Sequence, residues 1–147
     1  MRLTRFTDYS LRVLIYLGQN DDDRVTINQI SEAYNISKNH LMKVVSNLTR
    51  LKFVSAQRGP GGGIRLNLEP KDISLNDVIR NTEKHLHQSD CRVPVNQEDA
   101  TADTRLKAYL QNAMQAYLDT LGRFTLADVL EPRNGAVELL ALSEKAA

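Results

Sequence analysis

Four side chains bound the soft-ligand and nucleophile chemistry open to this 147-residue sequence, which holds one cysteine and three histidines. Cys91 lies close in sequence to His85 and His87, in a polar stretch. A thiolate near imidazoles can hold a transition metal or act as a redox thiol. One thiolate is an incomplete metal site, and a lone cysteine in a polar loop is more often inert than reactive. No nucleophile–base pair and no complete ligand set is visible, which argues against an enzyme. A single cysteine also excludes an internal disulfide framework and fits a reducing compartment.

The second chemical signal is cationic. Residues 1–80 carry twelve Lys/Arg against eight Asp/Glu, whereas residues 81–147 carry seven against ten. Between Lys38 and Arg65 stand six cations (Lys38, Lys43, Arg50, Lys52, Arg58 and Arg65) and no carboxylate. Such a patch in a chain of net charge +1 is either a solvated face or the footprint of a polyanion met on one side.

The elements that would position these cations favour the second reading. The spacing of Phe6, Tyr9, Val13, Leu14 and Leu17 predicts a helix over Thr4–Gly18, with Gly18 as its terminator. Thr26 suits the N-cap of a short helix that buries Ile27, Ile30 and Ala33. Asn35 suits a tight turn, and Ser37 an N-cap for a third helix. The apolar stripe Leu41, Val44, Val45, Leu48 and Leu51 leaves Lys38, Asn39, His40, Met42, Lys43, Ser46 and Asn47 off the core. Residues 53–57 and 64–68 then read as two short strands around a tip, Arg58-Gly59-Pro60-Gly61-Gly62-Gly63. The glycine run lacks the Gly-Lys-Ser/Thr ending of a nucleotide phosphate loop.

Two short helices, a tight turn and a hairpin follow the order of a winged helix-turn-helix. The fold class is therefore mainly α with a small β-hairpin wing, plus a long C-terminal helix that serves dimerisation. The segment Ser37 to Arg65 is the candidate DNA-binding surface. In the first turn of the third helix, Ser37, Asn39 and His40 would meet base edges, where Asn pairs in bidentate fashion with adenine. Lys38 and Lys43 would serve phosphates, Gly59 would let the backbone approach a strand, and Arg58 would enter a minor groove, with Arg65 nearby.

Beyond a helix capped by Ser74, residues 82–103 are irregular and polar. A long helix from Thr104 to Gly122 carries Leu106, Leu110, Ala113, Met114, Tyr117, Leu118 and Leu121, a stripe broader than the N-terminal core could cover. Pairing with the same helix of a second copy would bury it, although packing on the first helix would account for part. Thr125 caps a last short helix. The expected organisation is a DNA-binding domain at 1–80, a sensor loop at 81–103 and a dimerisation helix with a C-terminal segment at 104–147. No apolar run approaches the length of a membrane span and no signal peptide is visible, so a cytoplasmic location is expected.

The chain resembles the Rrf-type family of winged-helix transcription regulators, the IscR and NsrR type, with the nitric-oxide-sensitive NsrR branch the nearer. The matching stretches are Leu3-Thr4, Phe6-Thr7-Asp8-Tyr9, Leu11-Arg12, Asn39-His40, Arg58-Gly59, Gly62-Gly63-Ile64-Arg65-Leu66, Arg105-Leu106-Lys107 and Phe124-Thr125-Leu126-Ala127-Asp128. The resemblance implies a homodimer on double-stranded DNA with a palindromic operator, and a sensor loop ahead of the dimer helix. Family members that sense through an iron–sulfur cluster carry three cysteines in that loop. Here Cys91 matches the first, Thr104 occupies the place of the last, and residues 95–98 hold no cysteine for the middle one. Three alternatives follow. Cys91 joins His85, His87 or the partner chain's Asp8 around a mixed-ligand [2Fe–2S] cluster, or it is a lone redox thiol, or the site has lost iron. The rival to a DNA-binding regulator is a protein-binding adaptor that keeps the winged fold.

Overall fold

The computed structural model describes residues 3–20, 24–83 and 102–131. His85, His87 and Cys91 lie outside them. Among the described residues the order is α1 (Arg5–Gln19), α2 (Ile27–Tyr34), α3 (Lys38–Arg50), β1 (Val54–Gln57) and β2 (Gly63–Leu66). A 3-10 turn (Pro70–Asp72), α4 (Leu75–Thr82), α5 (Ala102–Leu121) and α6 (Leu126–Leu130) follow.

Short-range chemistry starts most of these helices. Thr4, Thr26, Ser37 and Thr125 each sit in extended conformation and accept a hydrogen bond from the backbone N–H three residues on. That satisfies one of the donors a helix start leaves free. Thr26 with Gln29, and Thr125 with Asp128, complete reciprocal capping boxes. Ser74 takes the N-cap position of α4 without a side-chain hydrogen bond. Asn35 closes α2 in the left-handed region, φ 52°, where asparagine is tolerated.

Gly18 does not terminate α1. The helix runs on to Gln19, and Asn20 is its C-cap. Gly18 instead leaves room for Leu130, since a Cβ there would collide with the Leu130 side chain. The glycine thus lets α6 pack closely on α1.

The core is built around α1. Val13, Leu14 and Leu17 are buried against Ile30 of α2, Leu41, Val44 and Leu48 of α3, Val54 and Ile64 of the hairpin, Val78 of α4 and Leu126 of α6. The chain after α5 returns to this core: Leu126 N–H donates to the Ile73 carbonyl at 2.8 Å and Leu75 N–H to the Phe124 carbonyl at 3.0 Å. Thr4 N–H, at the entry to α1, donates to Glu83 Oε1 at 2.6 Å. This bond joins the start of the domain to the end of α4.

Candidate nucleic-acid interface

Helix α3 divides its residues sharply. At about 100° per residue, Leu41, Val44, Val45 and Leu48 share one side and are buried. The opposite side carries Asn39, Lys43, Ser46, Asn47 and Arg50, which with Met42 at the flank line one continuous outward depression. Asn47 Oδ1 accepts from Arg50 Nη2 at 2.8 Å, which holds that guanidinium along the helix. Lys38 and His40 flank this face. Both are exposed, and the His40 ring lies 6.1 Å from that of Tyr9 on α1. Ser37 Oγ accepts from His40 N–H at 3.4 Å as the helix cap.

The hairpin stands beside α3. β1 and β2 pair antiparallel in the register Val54↔Leu66, Ser55↔Arg65, Ala56↔Ile64 and Gln57↔Gly63. Val25, just before α2, adds a third backbone to this sheet by exchanging both hydrogen bonds with Ile64, at 2.9 and 2.7 Å. That bridge ties the wing to the helix-turn-helix. At the tip, Gly59 and Gly61 have φ of 99° and 72°, conformations that cost other residues energy. Gly62 N–H donates to the Gly59 carbonyl at 2.9 Å. A side chain at Gly62 would run into the Gln57 carbonyl.

Between wing and helix runs a second groove of about 690 Å³. It is lined by Arg58 and Gln57 of the wing, by Met42, Ser46 and Thr49 of α3, and by Thr26 and Asn28 at the start of α2. The structure therefore brings Asn39, Lys43 and Arg58 onto adjoining concave surfaces, with Lys38 and His40 at the edge and Gly59 at the tip. Arg65 stands apart. It pairs with Ser55 while Ile64 and Leu66 point into the core, and alternation along the strand turns Arg65 to the other face of the hairpin. The sequence signals for Ser46 and Arg50 were their place opposite the stripe and the cationic run. The Val25 bridge left no local signal.

Asp8 is the one described member of the mixed ligand set. Its Oδ2 accepts from Arg12 Nε at 3.0 Å in an exposed ion pair, and Arg12 also lies over the Tyr34 ring at 5.6 Å. Among the described residues no group of three His, Cys, Asp or Glu side chains could hold a metal ion. Three-thiolate cluster ligation does not fit a chain with one cysteine.

The fold and its order match a known group across the described helices and wing. The Rrf2 family model, described as an iron-dependent transcriptional regulator, matches residues 3–132. The chain belongs to the Rrf2 family. It is 42% identical over 147 residues to the HTH-type transcriptional regulator NsrR of Bacillus subtilis, covering 98% of this chain and 100% of that protein. Among solved structures, T. potens IscR superimposes with a TM-score of 0.72 at 23% identity, covering 94% of this chain and 96% of that one. The global cysteine regulator CymR of B. subtilis does so with 0.68 at 25% identity, covering 91% and 99%. This Rrf2 protein thus has the winged-helix fold, and the relatives it matches are transcription regulators. No described helix is long and apolar enough to cross a membrane.

Proposed function

We propose that this Rrf2 protein is a homodimeric repressor of the NsrR and IscR type that binds palindromic duplex DNA through α3 and the wing. One observation carries the reading: a 28-residue stretch with six cations and no carboxylate folds so that Lys43, Arg50 and Arg58 line two adjoining grooves. An α-helix of this exposure fits the major groove, and a glycine-rich wing can approach the phosphates beside it. Asn39 and Ser46 supply the polar groups that read base edges, while Lys38, Lys43 and Arg50 neutralise phosphates. His40 and Ser37 sit at the start of α3, where helix N–H groups also attract a phosphate.

On this reading residues 1–80 contact DNA, 81–103 receive the signal, and 104–147 hold the dimer contacts and the C-terminal segment. Support for the dimer comes from α5. Leu118 is buried on α4, but Leu106, Tyr109 and Leu110 are 56, 67 and 62% exposed. Regulation does not run through a three-thiolate cluster, since two of the thiolates are missing.

Selection from a random duplex library, followed by gel shifts, tests the proposal. A specific sequence with two-fold symmetry should emerge, bound at least about 10³-fold tighter than random DNA. No enrichment, with partner proteins captured through the same face, would establish the adaptor instead.

A further inference from the structure

We infer that Met42 is a specificity-determining residue that reads the C5-methyl group of a thymine in the major groove. The inference rests on the DNA-binding reading above and adds a ligand chemistry to it.

Met42 is 50% exposed, an apolar side chain left in water on a face otherwise made of Asn39, Lys43, Ser46, Asn47 and Arg50. Core packing covers only part of it: Met42 stands at the flank of the buried stripe, about 60° round the helix from Val45, and half of it is left exposed. Single exposed apolar residues are common on protein surfaces, but this one has a particular place. With Ser46 it lines both the outward depression of α3 and the groove toward Arg58, so these two form the ridge between the concave surfaces, and Met42 is its apolar member. A duplex held by cations on both sides would bring its base edges to that ridge.

The chemistry of base edges selects what an apolar ridge can recognise. In the major groove every base presents hydrogen-bonding groups, and the thymine methyl is the apolar feature among the standard bases. A thioether chain has no N–H or O–H to give the acceptors and only a weakly accepting sulfur for the donors, so burying it against them would leave them poorly paired. Against a methyl group it gains dispersion and releases water. Its unbranched, adaptable chain suits such a contact. The expected ligand is therefore duplex DNA with a 5-methyl pyrimidine opposite Met42 in each half-site. Asn39, one turn earlier on the same face, is placed for a neighbouring base.

The test uses the full-length protein and the best duplex from random-library selection. Each thymine is replaced in turn by uracil, which removes the methyl and keeps all base pairing. At one position per half-site the replacement should weaken wild-type binding about four-fold, the worth of one buried methyl at 1.4 kcal/mol per decade. The same replacement should have no effect on Met42→Ala, whereas Met42→Leu should keep much of the sensitivity. Cytosine at that position should bind weakly and 5-methylcytosine should recover part of the loss for wild type alone. Uracil scanning without effect at any position would overturn the inference, as would an equal effect in wild type and Met42→Ala. Half the Met42 side chain is already in water, so the variant should fold, and an unchanged thermal melt checks this. If selection enriches no sequence at all, the DNA-binding reading itself fails and this inference falls with it.

Discussion

Replacing Leu106 and Leu110 together by alanine should shift the protein from dimer toward monomer by about 10³-fold in Kd. These side chains are 56 and 62% exposed, so a little over half of each remains to be covered by a partner. Full burial of a leucine contributes roughly 1.5–3 kcal/mol, which leaves about 1 kcal/mol for each half-covered side chain. A two-fold interface contains each residue twice, hence four side chains and about 4 kcal/mol in all. At 1.4 kcal/mol per decade the dimer Kd should rise about 10³-fold. Sedimentation over a dilution series should show wild type at about twice the 16.6 kDa chain mass down to concentrations about 10³-fold below those at which the variant falls to the single mass. Because the replaced side chains touch water in the single chain, helix content should hold. A variant that remains a dimer, or a wild-type protein that is monomeric while binding a palindrome tightly, would refute the reasoning.

Three further outcomes follow. Glu83→Ala should destabilise the fold by about 1–3 kcal/mol, because it strands the Thr4 N–H that now donates to Glu83 Oε1; Glu83→Gln keeps an acceptor and should recover most of this in urea denaturation. Tyr117 has its pKa raised above 10.0 by burial and, secondarily, by the nearby Glu83 charge. The folded state then holds a proton that the unfolded state loses above pH 10.0, so the stability this contributes is complete below that pH and falls as pH rises through the folded value. Denaturation between about pH 9 and 11 should show a shallower alkaline loss in Tyr117→Phe, and an equal loss in both would contradict it. Anaerobic reconstitution with iron and sulfide should load little iron and leave DNA affinity unchanged; a stoichiometric cluster that disappears in Cys91→Ala would overturn the clusterless account.

Local chemistry made much of the fold legible. Thr4, Thr26, Ser37 and Thr125 announce their helices because a cap acts over three residues, and the stripe from Leu41 to Leu48 separates core from surface without tertiary knowledge. What escaped was set by distant partners. Gly18 reads as a stop signal by residue type, yet its use is decided by Leu130, far along the chain. Val25 lies at the edge of a polar loop and gives no sign that it will pair with Ile64. Arg65 belongs to the cationic run in sequence, but the period of two along a strand turns it away from Arg58's groove. On α5 the stripe was visible, while the division between Leu118, covered by α4, and Leu106 and Leu110, left bare, needed the structure. The helical period places Met42 off the core, whereas its position on the ridge between two grooves is set by where the wing packs.

The most direct test of DNA binding through α3 and the wing is the salt dependence of affinity for the selected duplex, compared among wild type, Lys43→Ala and Arg58→Ala. Each phosphate contact releases condensed counterions, so Lys43→Ala, which removes one contact in each half-site of the dimer, should flatten the slope of log K against log[salt] by about two units and weaken all sequences evenly. Arg58→Ala should cost about 1–3 kcal/mol per half-site and relax discrimination on one flank of each. Affinity and slope unchanged in both variants would remove α3 and the wing from the interface and contradict the account.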